Sequence, residues 1–228
     1  MQELQVVFGG IAQGCIYGLI ALGFVLIYKA TETVTFAQGE LMMLGAFCGL
    51  ALIDGLGLNY AWAVPVALLV MAAVGWLIER SVISPILGQP AFSVVMLTFG
   101  LGYVARGLVT MIPNIGTDTH ALAAPYKDIT YHWGGVVLGA SQVVVVACTA
   151  LLCLVLYLVF SRSKVGIAMQ AASQNQLAAY YMGIPVRRLN GLVWALAATV
   201  ATVAGLLLAP ITFVHANMGL IGLKAFPA

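Results

Sequence analysis

The stretch Gly139–Phe160, which reads GASQVVVVACTALLCLVLYLVF, decides the fold class of this chain. It contains no charged residue, and its length matches the roughly 20 apolar residues that a helix needs to cross a bilayer. The stretch is apolar on every face, whereas the strands of a membrane barrel alternate polar and apolar side chains. A helix also satisfies its own backbone hydrogen bonds, which lipid demands. This stretch therefore predicts a membrane-spanning α-helix.

Five similar runs occupy the rest of the chain, and each is uncharged or nearly so. They lie at Leu4–Tyr28, Phe36–Ile53, Tyr60–Ile78, Phe92–Ile112 and Gly191–Leu208. The second run in chain order is short and contains Glu40 near its start. We therefore predict an all-α polytopic transmembrane bundle of about six spans, forming a single domain over residues 1–228.

The composition agrees with a membrane protein. Of the 228 residues, 63% are hydrophobic and 7% are charged, whereas soluble domains carry about 25% charged residues. Basic residues are few and form no aromatic-interleaved face, which excludes a nucleic-acid partner. The start Met1-Gln2-Glu3 has no positive charge ahead of the first run, so we expect that run to be kept as a span rather than cleaved as a signal peptide.

Residues for catalysis or metal binding are scarce. The sequence has no glycine-rich loop followed by Lys-Ser/Thr, so it lacks that way of binding ATP. Its histidines lack the usual ligand spacing, and its cysteines fall inside apolar runs, where a thiol behaves as a small hydrophobe. We expect no catalytic residue, no metal site, no cofactor and four free thiols.

The basic residues predict the orientation. Six fall in loops on one side of the membrane, and two fall on the other. The first set is Lys29, Arg80, Arg162, Lys164, Arg187 and Arg188, and the second is Lys127 and Lys224. The positive-inside rule assigns the first set to the cytoplasm. The N-terminus and the loop Pro113–Gly135 are then periplasmic, and this loop is expected to cover the outer mouth of a pathway.

The cytoplasmic loop Ser161–Asn190 has an unusual composition. Its centre, Ala168 to Met182, is rich in Ala, Gln and Met and is followed by Gly183-Ile184-Pro185. Helix-forming residues that end in Gly and then Pro predict a short helix with a stop signal. We expect this helix to occupy Ser173 to Gly183 and to lie across the cytoplasmic face.

Two ionisable residues lie at membrane depth, where they are costly and usually face a partner or a water-filled cavity. Glu40 follows Gln38 and Gly39, and these three suggest an interrupted helix that forms a gate or kink, or alternatively an interfacial position. Arg106 lies near the outer end of the fourth run. It either extends to the outer headgroups or belongs to a pathway.

Small residues recur at intervals of four along three of the runs. They are Gly10, Gly14 and Gly18 in the first run, Gly45 and Gly49 in the second, and Ala197, Ala201 and Gly205 in the last. Small side chains at this spacing let helix backbones approach closely in lipid. The stripes indicate close packing within the bundle, with a dimer face as the alternative.

Three segments together resemble the permease subunits of branched-chain amino acid ABC importers. They are Phe36-Ala37-Gln38-Gly39-Glu40, then Thr98-Phe99-Gly100-Leu101 with Arg106-Gly107, and the loop and its exit from Ala168 to Pro210. The first is similar to the family's Asn-Phe-Ala-His/Gln-Gly-Glu stretch, with Thr35 where Asn is usual. The resemblance covers nearly the whole chain. Family members continue through about two more spans, so we expect a truncated chain or a fragment.

The loop resembles the coupling segment of ABC permeases, whose motif is Glu-Ala-Ala, three residues, then Gly. The counterparts here are Leu177, Ala178, Ala179 and Gly183, so the acidic position holds an apolar residue. The resemblance implies that this segment docks on an ATPase, with Ala178 and Ala179 packed into it.

The resemblance also implies a division of labour in the bacterial inner membrane. This chain would pair with a second, related permease subunit, bind two cytoplasmic ATPase subunits, and receive branched-chain or other hydrophobic amino acids from a periplasmic substrate-binding protein. The chain itself would be no enzyme. Transport of urea or short-chain amides within the same family is one alternative, and an ATP-independent secondary transporter or channel is another. A structural membrane subunit would leave the coupling-type loop unexplained.

Overall fold

A computed structural model describes residues 2–32, 34–86, 88–112, 115–127, 129–133 and 136–225. The helices in chain order are α1 (Gln2–Thr31), α2 (Gln38–Leu50), α3 (Tyr60–Ile78), α4 (Ala91–Thr110), α5 (Ala140–Arg162), α6 (Lys164–Gln174), α7 (Gln176–Tyr181), α8 (Val186–Thr212) and α9 (Gly219–Lys224). A π-helical turn continues α2 over Ala51–Gly55, and another continues α3 over Glu79–Ile83. A 3-10 turn, Ala216–Met218, precedes α9.

Within the described residues, five helices are long and apolar enough to cross a membrane. They are Gln5–Thr31, Tyr60–Ile83, Phe92–Thr110, Ala140–Arg162 and Val186–Thr212. They confirm the all-α polytopic bundle and five of the six predicted spans. The run Phe36–Ile53 is helical from Gln38: α2 has 13 residues and its π-helical turn extends to Gly55, so this run, which the sequence already marks as short, is not among the five.

The segment between α4 and α5 contains a short hairpin that the sequence pattern did not predict. Strand β1 (Thr130–Trp133) pairs antiparallel with β2 (Val136–Gly139), and Thr130 lies opposite Gly139. Residues 115–127 fold against the end of α8, because His120 and Val214 exchange backbone hydrogen bonds of 2.9 and 2.8 Å. We call this end of the molecule the hairpin end and the opposite one, which carries α6 and α7, the α7 end.

A tyrosine pair also holds the loop at the hairpin end. The hydroxyls of Tyr126 and Tyr60, the first residue of α3, lie 3.0 Å apart. Burial raises the pKa of the Tyr126 phenol above its ordinary value, so this group stays protonated and keeps its hydrogen bond at neutral pH. The loop is therefore fixed to both α3 and the residues that follow α8.

The helix at the centre of the bundle is α8. In the most apolar stretch of α8, 72% of the residues are buried, against 11% in that of α5. α8 packs against α1, α2 and α3. Glycines make these contacts close. A Cβ on Gly45 of α2 would lie 2.7 Å from the Cα of Thr202, and a Cβ on Gly205 would collide with the backbone oxygen of Met42. Part of the predicted small-residue packing is therefore present inside the bundle.

The stripe of small residues on α1 does not take part in this packing. A Cβ built on Gly10, Gly14 or Gly18 would meet nothing within 4 Å among the atoms that the structure describes. This face of α1 is open to the surroundings of the chain.

Two parts of the chain share a shape in which a long helix, a break and a short helix follow one another. α1 ends at Thr31 and α8 ends at Thr212, and the next residue in each case, Glu32 or Phe213, has a positive φ of 54° or 64°. α2 then follows α1 at the same spacing at which α9 follows α8. The long helices run antiparallel, because the end of α1 and the start of α8 line one pocket. The two units are thus inverted relative to one another.

Candidate functional site

The short helix α2 begins deep inside the bundle. Gln38, its first residue, is fully buried, and its Nε2 donates a 3.1 Å hydrogen bond to the carbonyl of Ala197, halfway along α8. Helix α2 is unbroken from Gln38 to Leu50, so the irregular backbone lies before Gln38 rather than within Gln38–Glu40. Such backbone is tolerated at membrane depth where protein buries it.

Helix α4 holds the residues that precede α2. The backbone N–H of Phe36 donates to Thr98 Oγ1 at 3.2 Å, and that hydroxyl donates in turn to the carbonyl of Val95 at 2.8 Å. The rings of Phe36 and Phe99 stack with centroids 4.4 Å apart. The Thr98 hydroxyl thus supplies a partner to backbone that leaves the helical pattern, which would otherwise be costly away from water.

An ion pair joins α2 to α4 beside these contacts. Arg106 Nη2 donates to Glu40 Oε1, and the two side chains are only 21% and 13% exposed. The Arg106 side chain is therefore paired with Glu40 rather than extended alone toward the headgroups. Within the described part of the chain, Glu40 Oε2 and Arg106 Nε are buried and lack a hydrogen-bond partner.

Helix α9 approaches the pair from the other inverted unit. A Cβ on Gly219 would lie 2.5 Å from Glu40 Oε2, and a Cβ on Gly39 would collide with the carbonyl oxygen of Gly219. Glycine at both positions allows α9 to cover the start of α2. The sequence interpretation missed Gly219, although two glycines in a short apolar segment before the end of the chain were a usable signal.

Two cavities adjoin the pair. One of about 80 Å³ lies between Phe36, Phe99, Arg106 and α9. The other, of about 210 Å³, lies between α2, α3 and α4 and has an almost entirely apolar wall. Both are lined by Glu40 and Gly102. The arrangement places two opposite charges at a junction of polar and apolar space inside a helical bundle.

The predicted coupling helix differs from the structure in its bounds. Instead of one helix over Ser173 to Gly183, α6 ends at Gln174 and α7 runs from Gln176 to Tyr181. Asn175 separates them with extended backbone, and its side chain accepts a 2.9 Å hydrogen bond from the N–H of Ala178. An asparagine in this role favours a helix start over a continued helix. Gly183 has a φ of +83° and ends the segment as predicted.

One face of α7 is turned toward the bundle and the other is exposed. Ala179 is 5% exposed and packs within this chain, and the contact predicted for it with an ATPase stays a prediction. Leu177 and Ala178 do face outward, next to the exposed Tyr181 and Met182. Gln176 Nε2 donates a 2.9 Å hydrogen bond to the carbonyl of Ala30, next to the end of α1. α7 is therefore attached to the unit that leads into the Glu40 site.

Comparison with known proteins agrees with this architecture. The family model described as branched-chain amino acid transport system / permease component matches residues 6–226. The high-affinity branched-chain amino acid transport system permease protein LivH of Escherichia coli is 27% identical over 99% of this chain and 77% of its own length. LivH of Salmonella typhimurium is 26% identical and BraD of Pseudomonas aeruginosa 27% identical, each over the same shares. No solved structure matches the chain significantly. Since the family model covers almost all of the sequence, this chain belongs to the family of branched-chain amino acid transport permease components.

Proposed function

We propose that this multi-pass permease is the membrane-spanning subunit of an ABC importer that moves branched-chain or other hydrophobic amino acids across the bacterial inner membrane. The observation that carries the proposal is the Glu40–Arg106 pair at the start of a helix that begins inside the bundle. Charged pairs and broken helices at membrane depth are features of substrate pathways. Residues 1–228 act as one transmembrane domain, with Gln38, Gly39, Glu40 and Arg106 on the pathway.

The movement driven by ATP hydrolysis is transmitted to this chain at α7. The exposed Leu177, Ala178, Tyr181 and Met182 form an apolar surface that binds one of two cytoplasmic ATPase subunits. ATP hydrolysis belongs to those subunits, and this chain is not an enzyme. Gln176 passes the movement to Ala30 and so to the break that precedes α2. Nucleotide-dependent contacts then bias two arrangements of the bundle, which is a population shift.

Two further partners complete the transporter. A second, related permease subunit forms the other half of the pathway, and a periplasmic substrate-binding protein delivers the amino acid at the hairpin end. The exposed stripe Gly10, Gly14 and Gly18 is a surface that permits close helix contact with that second permease. The α7 end is cytoplasmic, in keeping with the basic residues of its loops.

The alternatives receive less support. The names of the relatives refer to branched-chain amino acids, which favours these substrates over urea or short-chain amides. An ATP-independent transporter would leave the exposed apolar face of α7 without a partner.

Uptake by cells tests the class and the substrate together. The chain is produced with its partner subunits in a bacterium that lacks high-affinity leucine uptake, and entry of radiolabelled leucine and urea is measured. We expect leucine uptake that disappears when the partner ATPases cannot hydrolyse ATP. Uptake of urea alone, or leucine uptake that survives ATPase inactivation, would contradict the proposal.

A further inference from the structure

We propose that Glu40 and Arg106 form a zwitterion site, in which Glu40 binds the α-ammonium group and Arg106 the α-carboxylate of an amino acid in transit, with its side chain in the adjoining apolar cavity. This inference rests on the proposed function and adds a substrate-recognition site to it.

The Glu40–Arg106 pair leaves part of its hydrogen-bonding capacity unused. A carboxylate accepts through both oxygens and a guanidinium donates through five N–H groups. Here Nη2 of Arg106 donates to Oε1 of Glu40. Among the described residues, the other carboxylate oxygen of Glu40 and Nε of Arg106 are buried without partners. One free acceptor on an anion and one free donor on a cation match the ammonium and carboxylate groups of a zwitterion.

Beside the pair lies space for an apolar side chain. The cavity of about 210 Å³ is lined by Leu41, Leu44, Val74, Ile78, Leu101 and Leu108, and it opens to the outside of the bundle at Leu108, which is 61% exposed. An apolar cavity of about 150 Å³ is large enough to bind benzene, so this one can hold a branched four-carbon side chain. Because Glu40 lines this cavity and the smaller one around Arg106, one bound molecule can reach both charges and the apolar wall.

Helix α9 controls access to the pair. Gly219 of α9 lies directly against the unpaired oxygen of Glu40, so a ligand reaches this oxygen only when α9 moves. α9 is a short helix after a break at Phe213, which allows it to move without unfolding α8. In this arrangement α9 covers the site, and the structure is that of the covered state.

Binding to the assembled transporter, without its substrate-binding protein, tests the site. Displacement of radiolabelled L-leucine is measured with L-leucine, isoamylamine, which lacks the carboxylate, and 4-methylpentanoate, which lacks the ammonium. Since losing either group leaves one protein charge unsatisfied, we expect L-leucine to bind at least about tenfold more tightly than either analogue. Glu40→Gln should reduce the ratio of the affinity for L-leucine to that for 4-methylpentanoate. Arg106→Gln should reduce the ratio of the affinity for L-leucine to that for isoamylamine.

A second variant leaves the pair untouched, which separates recognition from folding. Val74→Phe fills the apolar cavity, so L-leucine should bind about tenfold more weakly while L-alanine binds as before. Leu77→Phe is the matched control, because Leu77 lies on the same helix but is 58% exposed, and it should change neither affinity.

The outcomes separate this inference from the proposed function. If the transporter imports leucine with ATP but all three ligands bind the wild-type protein equally, or Val74→Phe weakens L-leucine and L-alanine alike, the zwitterion site is wrong and the permease function stands. If the wild-type assembly imports urea and no leucine, the proposed function fails and the site fails with it.

Discussion

At the scale of single residues, the Glu40–Arg106 pair is the feature most in need of a functional reason. A partly buried ion pair is weak evidence for stability, because desolvation offsets much of the attraction between the charges. Removing one partner is a different matter, since it leaves an uncompensated charge inside the bundle. Both side chains are mostly shielded here, so the two kinds of change should have distinct effects.

We predict that Arg106→Leu lowers the free energy of unfolding in detergent by about 3 kcal/mol, because the shielded carboxyl of Glu40 loses its partner and must either stay charged away from water or bind a proton. The double variant Glu40→Leu with Arg106→Leu should recover most of that loss while abolishing transport. Denaturant unfolding of the two variants and the wild type checks this. Equal losses in the single and double variants would show that the charge left behind is not the cause.

The sequence predicted the membrane depth of Glu40 and Arg106 but not their contact. Each residue is recognisable because it interrupts an apolar run. Whether Arg106 extends toward lipid headgroups or turns inward depends on which helix packs against α4, and no local pattern contains that information. The contacts of Thr98 and Gly219 were not predicted for the same reason, since they exist only once α2, α4 and α9 meet.

At the scale of helices, close packing against α8 depends on particular glycines. We predict that Gly205→Ala destabilises the protein by about 1–3 kcal/mol, because its methyl group would meet the backbone of α2, which cannot rotate away. Thermal or denaturant unfolding measures the change.

The matched control is Gly14→Ala, whose methyl group meets nothing within 4 Å in the described structure. It should be neutral or stabilise by up to about 1 kcal/mol through helix propensity. Equal destabilisation by the two changes would contradict the packing described for α8.

The link between α7 and α1 gives a prediction about coupling. Gln176→Ala removes the hydrogen bond to Ala30. The net free energy of such a bond, about 1 kcal/mol, corresponds to a change of roughly fivefold in the ratio of two states. ATP-driven uptake should fall by about that factor while the ATPase subunits remain bound, as measured by co-purification.

Gln170→Ala is the control for this link, because Gln170 also bonds a backbone carbonyl, that of Phe160, but does not reach α1. Uptake should stay near the wild-type rate. A similar fall of ATP-driven uptake in both variants would mean that the hydrogen bond to Ala30 has no specific role in coupling.

Sequence reasoning predicted helices well where length and composition decide, as in the five apolar runs that form spans. It was wrong about the coupling segment, where Asn175 competes with a continuous helix by capping α7. It did not predict where the second helix begins, because an apolar run does not show that the backbone N–H of Phe36 bonds the Thr98 hydroxyl before the helix starts at Gln38.

At the scale of the whole molecule, the count of basic residues predicts which end faces the cytoplasm. In a background without the four native cysteines, Ala121→Cys at the hairpin end should react with an impermeant thiol reagent added to intact cells. Tyr181→Cys, on the exposed face of α7, should react only after the cells are opened. The reverse pattern would overturn the orientation.

The two inverted units, α1–α2 and α8–α9, meet in the middle of the molecule. Both short helices begin after a break, and they meet at glycines beside the charged pair. One of these units is attached to α7, on which we propose that the ATPase acts. A movement at the α7 end can therefore pass from the end of α1 to the start of α2, which lies in the middle of the bundle.

The central claim is that this chain forms half of the pathway of an ATP-driven amino acid importer. Its most direct test is the initial rate of L-leucine entry into proteoliposomes that contain the purified complete transporter and binding protein, with ATP on the side of the ATPase subunits. Entry should require ATP and fall to background in the Arg106→Leu variant reconstituted at equal protein content. Leucine entry at the same rate without ATP, or an undiminished rate in Arg106→Leu, would contradict the account.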